Sequence, residues 1–233
     1  MEVDILEKLN ILVEHIYHSG FTIETKDKYL VFDYYKGNID LSPKKTYVFV
    51  SHGHGDHFNP KILDWKKKKN NIKYIFSDDV PINNKDEDII FLKAYEDIVL
   101  DNIKITSFGS TDIGLSFLVE IDDINIFFAG DLNWWHWKND SKKEKLSMEK
   151  AFKEEIQRLK GKDVHIGFLP VDPRLEGFFH LAGDYFIKEI KPKYFFPMHF
   201  GDKYNTSTKF IHKIGNSSTN IVEINRENQI FQL

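Results

Sequence analysis

Short runs rich in β-branched and aromatic residues recur along the whole chain, each closed by turn residues, and this pattern constrains the fold more than any other feature. FTIET (21–25), KYLVFDY (28–34), TYVFVS (46–51), IKYIFS (72–77), IKITSF (103–108), LSFLVEI (115–121), INIFFAG (124–130), VHIGFLP (164–170), KYFFPM (193–198) and NIVEI (220–224) all read as strands. Helical spacing is confined to 60–69, 147–160, 182–190 and 208–214. In 147–160, Phe152, Ile156 and Leu159 fall on one face with lysines and glutamates opposite, although Ser147 and Lys150 form no capping box. Strands outnumber helices, and helices separate groups of strands. The expectation is an α/β or α+β domain of two sandwiched sheets with helices outside them.

At 233 residues and 41% hydrophobic, the chain is long enough for a full core within a single domain spanning 1–233, and it shows no internal repeat or dividing linker. Lys and Arg number 32 against 36 Asp and Glu, a balance that argues against nucleic acid as the main partner. Cysteine is absent, which excludes disulfides, iron–sulfur clusters and thiolate zinc sites. Any metal must sit on nitrogen and oxygen. MEVDILEKLN at the start lacks the pattern of a signal peptide, and no segment has the length and apolarity of a membrane span, so a cytoplasmic protein is expected. The lysine run Lys66–Lys69 reads as a solvated surface.

The chemistry concentrates at strand ends. TYVFVS runs directly into HGHGDH, which puts His52, His54, Asp56 and His57 within six residues. His52 and His54 alternate to one side, and a turn through Gly53 and Gly55 swings Asp56 and His57 to a neighbouring point. Imidazoles and carboxylates without thiolate suit zinc first, with manganese or iron as alternatives. These residues cannot complete two coordination shells. Further ligands are expected where INIFFAG ends at Asp131 and KYFFPM ends at His199.

In that order, HGHGDH, then Asp131 in AGD, then His199 in PMHF, the chain resembles the metallo-β-lactamase superfamily of metal-dependent hydrolases. The stretch from His18 to Asp33 is similar to the opening strands of its ascorbate-6-phosphate lactonase-like and phospholipase-D-like branch. The resemblance spans roughly residues 11–201 and implies a four-layered αββα sandwich with a two-metal site at one edge, and the expected content is one or two divalent metals per chain. It implies His52 and His54 on a first metal, Asp56, His57 and His199 on a second, and Asp131 as a bridge. The superfamily usually has a further histidine where this chain reads SFGSTDIG. Three alternatives stand there: Asp112 as an oxygen ligand, His136 reaching in from WWHW, or a first metal that is weak or absent.

The implied chemistry is attack by a metal-bound hydroxide on a small ester-like bond, a phosphodiester, lactone or phosphorylated metabolite. Asp56 is expected to take the proton, and His18 and His180 are candidate proton donors. Arg174, in LPVDPRLEG, is read either as an anion clamp or as the partner of Asp172 in bracing its own loop. Trp134, Trp135 and Trp137 around His136 are read as a substrate wall, a dimer contact or ordinary core. A non-catalytic or mononuclear metal-binding protein is the competing expectation. His15, His165 and His212 are expected to be packed or surface residues.

Overall fold

Parallel strands bring their carboxyl ends to a common edge, and each of two sheets in this protein contains such a set. The computed structural model describes residues 11–82 and 86–233, so the opening stretch MEVDILEKLN lies outside the described residues. The chain divides into two compact units, Met1–Leu92 with Arg226–Leu233, and Lys93–Asn225.

The first unit is a seven-stranded sheet of β1 (Leu12–Tyr17), β2 (Gly20–Glu24), β3 (Lys28–Phe32), β4 (Lys45–Val50), β5 (Ile72–Ser77), β6 (Ile89–Leu92) and β14 (Gln229–Gln232). Its order is β14-β1-β2-β3-β4-β5-β6. β3 to β6 run parallel, while β14, β1 and β2 are antiparallel to their neighbours. Parallel strands are covered on both faces, which is why YLVF and YVFV are continuous buried apolar runs rather than alternating ones. One cluster joins Tyr29, Val31, Val48, Val50, Tyr74 and Phe76 with Phe58 and Ile62. Ile62 belongs to a 3₁₀ helix, Pro60–Lys67, capped by Asn59, whose side chain accepts from the Lys61 N–H.

The second unit holds β7 (Asp97–Leu100), β8 (Ile103–Phe108), β9 (Ser116–Ile121), β10 (Ile124–Phe128), β11 (Ile166–Pro170), β12 (Tyr194–Met198) and β13 (Asn220–Ile221), ordered β13-β12-β11-β10-β9-β8-β7. β10 to β13 are parallel. Three α-helices, α1 (Lys142–Gln157), α2 (Leu181–Ile190) and α3 (Asn205–Ile214), and a 3₁₀ helix, Pro173–Phe178, complete it. α2 packs so closely on β11 that a Cβ at Gly167 would lie 2.5 Å from the Phe186 ring.

The helix expected over 147–160 starts earlier, because the operative cap is Ser141 and not Ser147. The Ser141 side chain accepts from the Glu144 N–H while the Glu144 carboxylate accepts from the Ser141 N–H, a complete capping box. The strands that the sequence pattern does not reveal are β1, β6, β7 and β14. The last three bury only some of their residues or alternate with exposed positions, so their runs look mixed. The lysine run is not uniformly solvated either. Lys66 pairs with Asp86 and Asp88 and Lys67 with Asp64, but Lys69 is buried.

Candidate functional site

In the first unit, register explains why distant residues meet. Phe32 pairs with Phe49 across β3 and β4, so Asp33 and Ser51 leave their strands side by side. Phe21 pairs with Phe32, which brings the β1–β2 turn carrying His18 to the same edge. Asp33 is fully buried and left-handed (φ 43°). One carboxylate oxygen accepts from the Ser51 N–H at 2.7 Å; the other accepts from Ser51 Oγ at 2.6 Å and lies 2.7 Å from His57 Nδ1. An ionised carboxylate only accepts, so Nδ1 carries the proton and Nε2 presents a lone pair.

Around that anchor, Ser51 Oγ lies 2.9 Å from His52 Nδ1, and His52 Nε2 lies 3.0 Å from His54 Nδ1. The expected placement of His52 and His54 on one side is therefore what the backbone produces. Ligand atoms of His18, Asp56 and His57 lie within 4.8 Å of one another, as do those of Asp33, His52 and His57. His18 Nε2 is 3.5 Å from Asp56 Oδ2. Hydrogen bonding from His18 is the main influence holding the Asp56 carboxyl well below the usual range, against the opposing effect of burial.

The expected turn through HGHGDH forms, without left-handed glycines. Neither Gly53 nor Gly55 has a positive φ. Gly53 is required for space, since a Cβ there would lie 2.7 Å from Pro81 Cδ and 3.1 Å from the Asp79 carbonyl, while Gly55 has open space around it. The His57 and Phe58 N–H groups both donate to the His54 carbonyl, which closes the turn.

In the second unit, the parallel strands β10, β11 and β12 end at neighbouring points and deliver Asp131, Asp172 and His199. His199 (φ 68°) has Nε2 3.1 Å from Asp131 Oδ1 and Nδ1 3.1 Å from Asp172 Oδ2. Both aspartates and the histidine are buried. Burial has the largest single effect on Asp172 and pushes its carboxyl up, but His199 and Arg174 together outweigh it and bring the carboxyl down to about 2. Arg174 donates through Nε and a terminal nitrogen to Asp172, so the loop-bracing reading of Arg174 describes its contacts. Its guanidinium also lies 5.9 and 5.8 Å from the Trp135 and Trp137 rings, which stack at 5.7 Å.

Trp134 packs on Phe152 of α1 and Tyr185 of α2, the core alternative for that residue. His136 lies 4.3 Å from the Phe178 ring, and His180 caps the start of α2 without a side-chain hydrogen bond to the helix. Burial lowers both imidazoles below their ordinary value. Asp112 is exposed. Beside it, Thr111 exchanges two hydrogen bonds with Asn133, donating to its carbonyl at 2.6 Å and accepting from its N–H at 2.9 Å. Among the described residues, neither Asp112 nor His136 joins a group of three potential ligands within 4.8 Å. His15 is buried, His165 accepts from the Asn125 N–H and His212 is exposed, in agreement with their expected packing or surface roles.

The residues that sequence reasoning missed are Asp33 and Ser51 as the anchors of His57 and His52. Their signal is position: each is the first polar residue after a buried parallel strand. Asp172 reads from sequence only as a partner of Arg174, and its bond to His199 depends on the register of β11 and β12.

The family model described as the β-lactamase superfamily domain matches residues 13–148, more than half of the chain. The chain belongs to the metallo-β-lactamase superfamily. Solved structures show its fold. A novel metallo hydrolase, Igni18 from Ignicoccus hospitalis, is similar with a TM-score of 0.70 at 14% identity, covering 96% of this chain and 98% of that one. The metallo-β-lactamase fold protein YhfI from Bacillus subtilis is similar with a TM-score of 0.62 at 12% identity, covering 96% and 99%. CmlA, a diiron β-hydroxylase from Streptomyces venezuelae, gives 0.63 at 8% identity, covering 97% of this chain and 54% of that one. No curated protein matches the sequence significantly. The expected metallo-β-lactamase sandwich class is thus the class of this superfamily member, whose two sheets and few helices match it. Its histidine–aspartate clusters have the composition of divalent-metal sites.

Proposed function

We propose that this chain is a metal-dependent hydrolase of small ester-like bonds, with phosphodiesters, lactones and phosphorylated metabolites as the substrate classes to test. In this reading residues 1–233 act as one domain, in the cytoplasm. The metal ligands are His52, His54, Asp56, His57, Asp131 and His199, with zinc the first candidate and manganese or iron the alternatives.

The observation that carries the reading is the pair of carboxylate–histidine contacts, Asp33 to His57 Nδ1 and Asp172 to His199 Nδ1. In the first unit the buried Asp33 carboxylate fixes the His57 tautomer so that Nε2 presents its lone pair, and in the second the buried Asp172 carboxylate orients the His199 ring through Nδ1, contacts of the kind that orient histidine for a divalent ion. The residues therefore fit the group that the family implies. Bound there, such an ion lowers the pKa of water from 15.7 toward about 7 and polarises the bond under attack.

The rest falls to the side chains. Asp56, half-exposed, would take the proton from the attacking water at a carboxylate oxygen, while His18, with Nε2 3.5 Å away, favours the ionised form of that carboxylate and is the first candidate to donate to the leaving group. His180, whose imidazole burial lowers below its ordinary value, is the second candidate to donate to the leaving group. Arg174, exposed beside the Trp135–Trp137 stack, offers positive charge to an anionic substrate, and Trp134 and His136 are the further candidates for contact with it.

A second reading, a mononuclear or non-catalytic metal-binding member of the fold, is favoured by one observation: Asp112 and His136 join no group of three potential ligands among the described residues. One experiment separates the two. Metal content is measured by elemental mass spectrometry on protein purified without chelator, alongside the His199→Ala and Asp112→Ala variants, and turnover is assayed on a panel of phosphodiesters and lactones. About two metals per chain, with turnover abolished in His52→Ala and Asp131→Ala, supports the hydrolase. Metal bound without turnover of any panel member supports the second reading, and protein that takes up no divalent metal overturns both.

A further inference from the structure

The opposite ends of the parallel strands in the first unit carry a cavity that the hydrolase reading does not use. The histidine cluster follows the carboxyl end of β4, whereas this cavity lies before its amino end, and a six-residue strand spans about 20 Å. Its volume is about 390 Å³, and it is lined by Ile39, Leu41, Ser42, Trp65, Lys68 and Lys69 together with Pro43. That size suits a small organic ligand.

Its walls differ in chemistry. Ile39, Leu41 and Trp65 pack against the buried core yet remain only partly buried themselves, so apolar surface faces the opening. Lys69 is buried, at 9% exposure, and donates from Nζ to the Ser42 carbonyl at 2.6 Å. An ammonium has three N–H donors, and a buried charge is costly unless a counter-charge meets it. Among the described residues no carboxylate forms an ion pair with Lys69 or with Lys68, and the lining contains no acidic residue. Asp64 feels the charge of Lys68 only weakly, its ion pair being with Lys67. Lys66 likewise meets Asp86 and Asp88. Offsetting the C-terminal dipole of the 3₁₀ helix is a task that exposed lysines perform as well, so it does not explain why Lys69 is buried.

We propose that this cavity binds a small organic carboxylate with a flat apolar body, the carboxylate meeting Lys69 and Lys68 and the body lying against Trp65, Ile39 and Leu41. A single negative charge matches a pocket with so many apolar side chains, in which the Ser42 carbonyl already occupies one donor of Lys69. Burial lowers the Lys69 ammonium below its ordinary value, and a bound anion opposes that effect. The site stands apart from the metal chemistry and holds whether or not the hydrolase reading does.

The test uses benzoate as probe, benzamide as its neutral isostere and phenyl phosphate as a dianion, with the full chain labelled at its tryptophan indoles. The chain has four tryptophans, and Trp65→Phe identifies the Trp65 N–H resonance. Benzoate is expected to shift that resonance saturably, with affinity at least about tenfold above benzamide. Lys69→Met is expected to bring the two ligands within about twofold. Should Lys69→Met fail to fold, Lys68→Met is expected to weaken benzoate severalfold and leave benzamide unchanged. The proposal is overturned if benzoate leaves the Trp65 resonance in place up to about 20 mM, if benzamide binds as well as benzoate, or if neither lysine variant alters the difference. Tighter binding of phenyl phosphate overturns the carboxylate assignment.

Discussion

Asp33 has the most concentrated set of roles of any residue in the first unit. It anchors Ser51 twice and His57 once while holding a left-handed φ of 43°. Asparagine tolerates that backbone but replaces an acceptor-only carboxylate with a neutral amide, weakening control of the His57 tautomer. Asp33→Asn is expected to lower metal affinity about 10- to 100-fold with the fold retained, measured by competition with a chromophoric chelator. Unchanged affinity would remove Asp33 from the positioning role. His15 allows a test by pH. Burial pushes its imidazole down to about 4, against smaller opposing effects of backbone hydrogen bonds. Between about pH 6.5 and pH 4 the unfolded chain therefore binds a proton that the folded chain does not, so stability rises with pH through that window and falls on acidification, by roughly 3 kcal/mol in all. Urea midpoints across about pH 4–7 should show this slope, and His15→Gln should flatten it.

Elements hold these residues through caps and close approaches. The Ser141–Glu144 capping box starts α1, and Phe152 of that helix stacks on Trp134, which lies on the loop that follows Asp131. The cap thereby supports the packing behind one of the candidate ligands. Ser141→Ala is expected to cost about 1 kcal/mol, a fall in Tm of about 2–4 °C for a chain of this size, measured by calorimetry. A Tm equal to the parent's would mean that packing alone sets the start of α1. In the first unit, the loop that presents the histidines depends on Gly53 because Pro81 and the Asp79 carbonyl stand where a Cβ would go. Gly53→Ala should displace that loop and reduce metal binding, whereas Gly55→Ala, with open space around it, should leave metal binding near the parent's. Equal behaviour of the two variants would refute the close-approach argument.

For the whole molecule, a metal that binds the folded chain and not the unfolded one adds stability by mass action, about 2.7 kcal/mol at a hundredfold excess over Kd. Zinc is therefore expected to raise Tm over chelator-treated protein, and the increment should shrink in His57→Ala. A Tm indifferent to zinc and chelator would count against a metal held by the folded state.

Much of this is legible in the chain. Continuous apolar runs such as YLVF, YVFV and GFLP report buried parallel strands, because burial on both faces leaves no polar alternation to hide them. HGHGDH reports its own ligands because the spacing of His52, His54, Asp56 and His57 is local. The capping box at Ser141 is local too, but the apolar face of α1 becomes regular only from Phe152 onward, so the pattern places the start of the helix too late. What only the tertiary structure decided are the pairings between residues far apart in sequence: Asp33 with His57, Asp172 with His199, Thr111 with Asn133, and the burial of Lys69 against the Ser42 carbonyl. Strand composition specifies that a strand forms and which residues it buries. Register and strand order specify which polar residues emerge beside one another, and these are set by the packing of the whole sheet, which no local stretch of sequence contains.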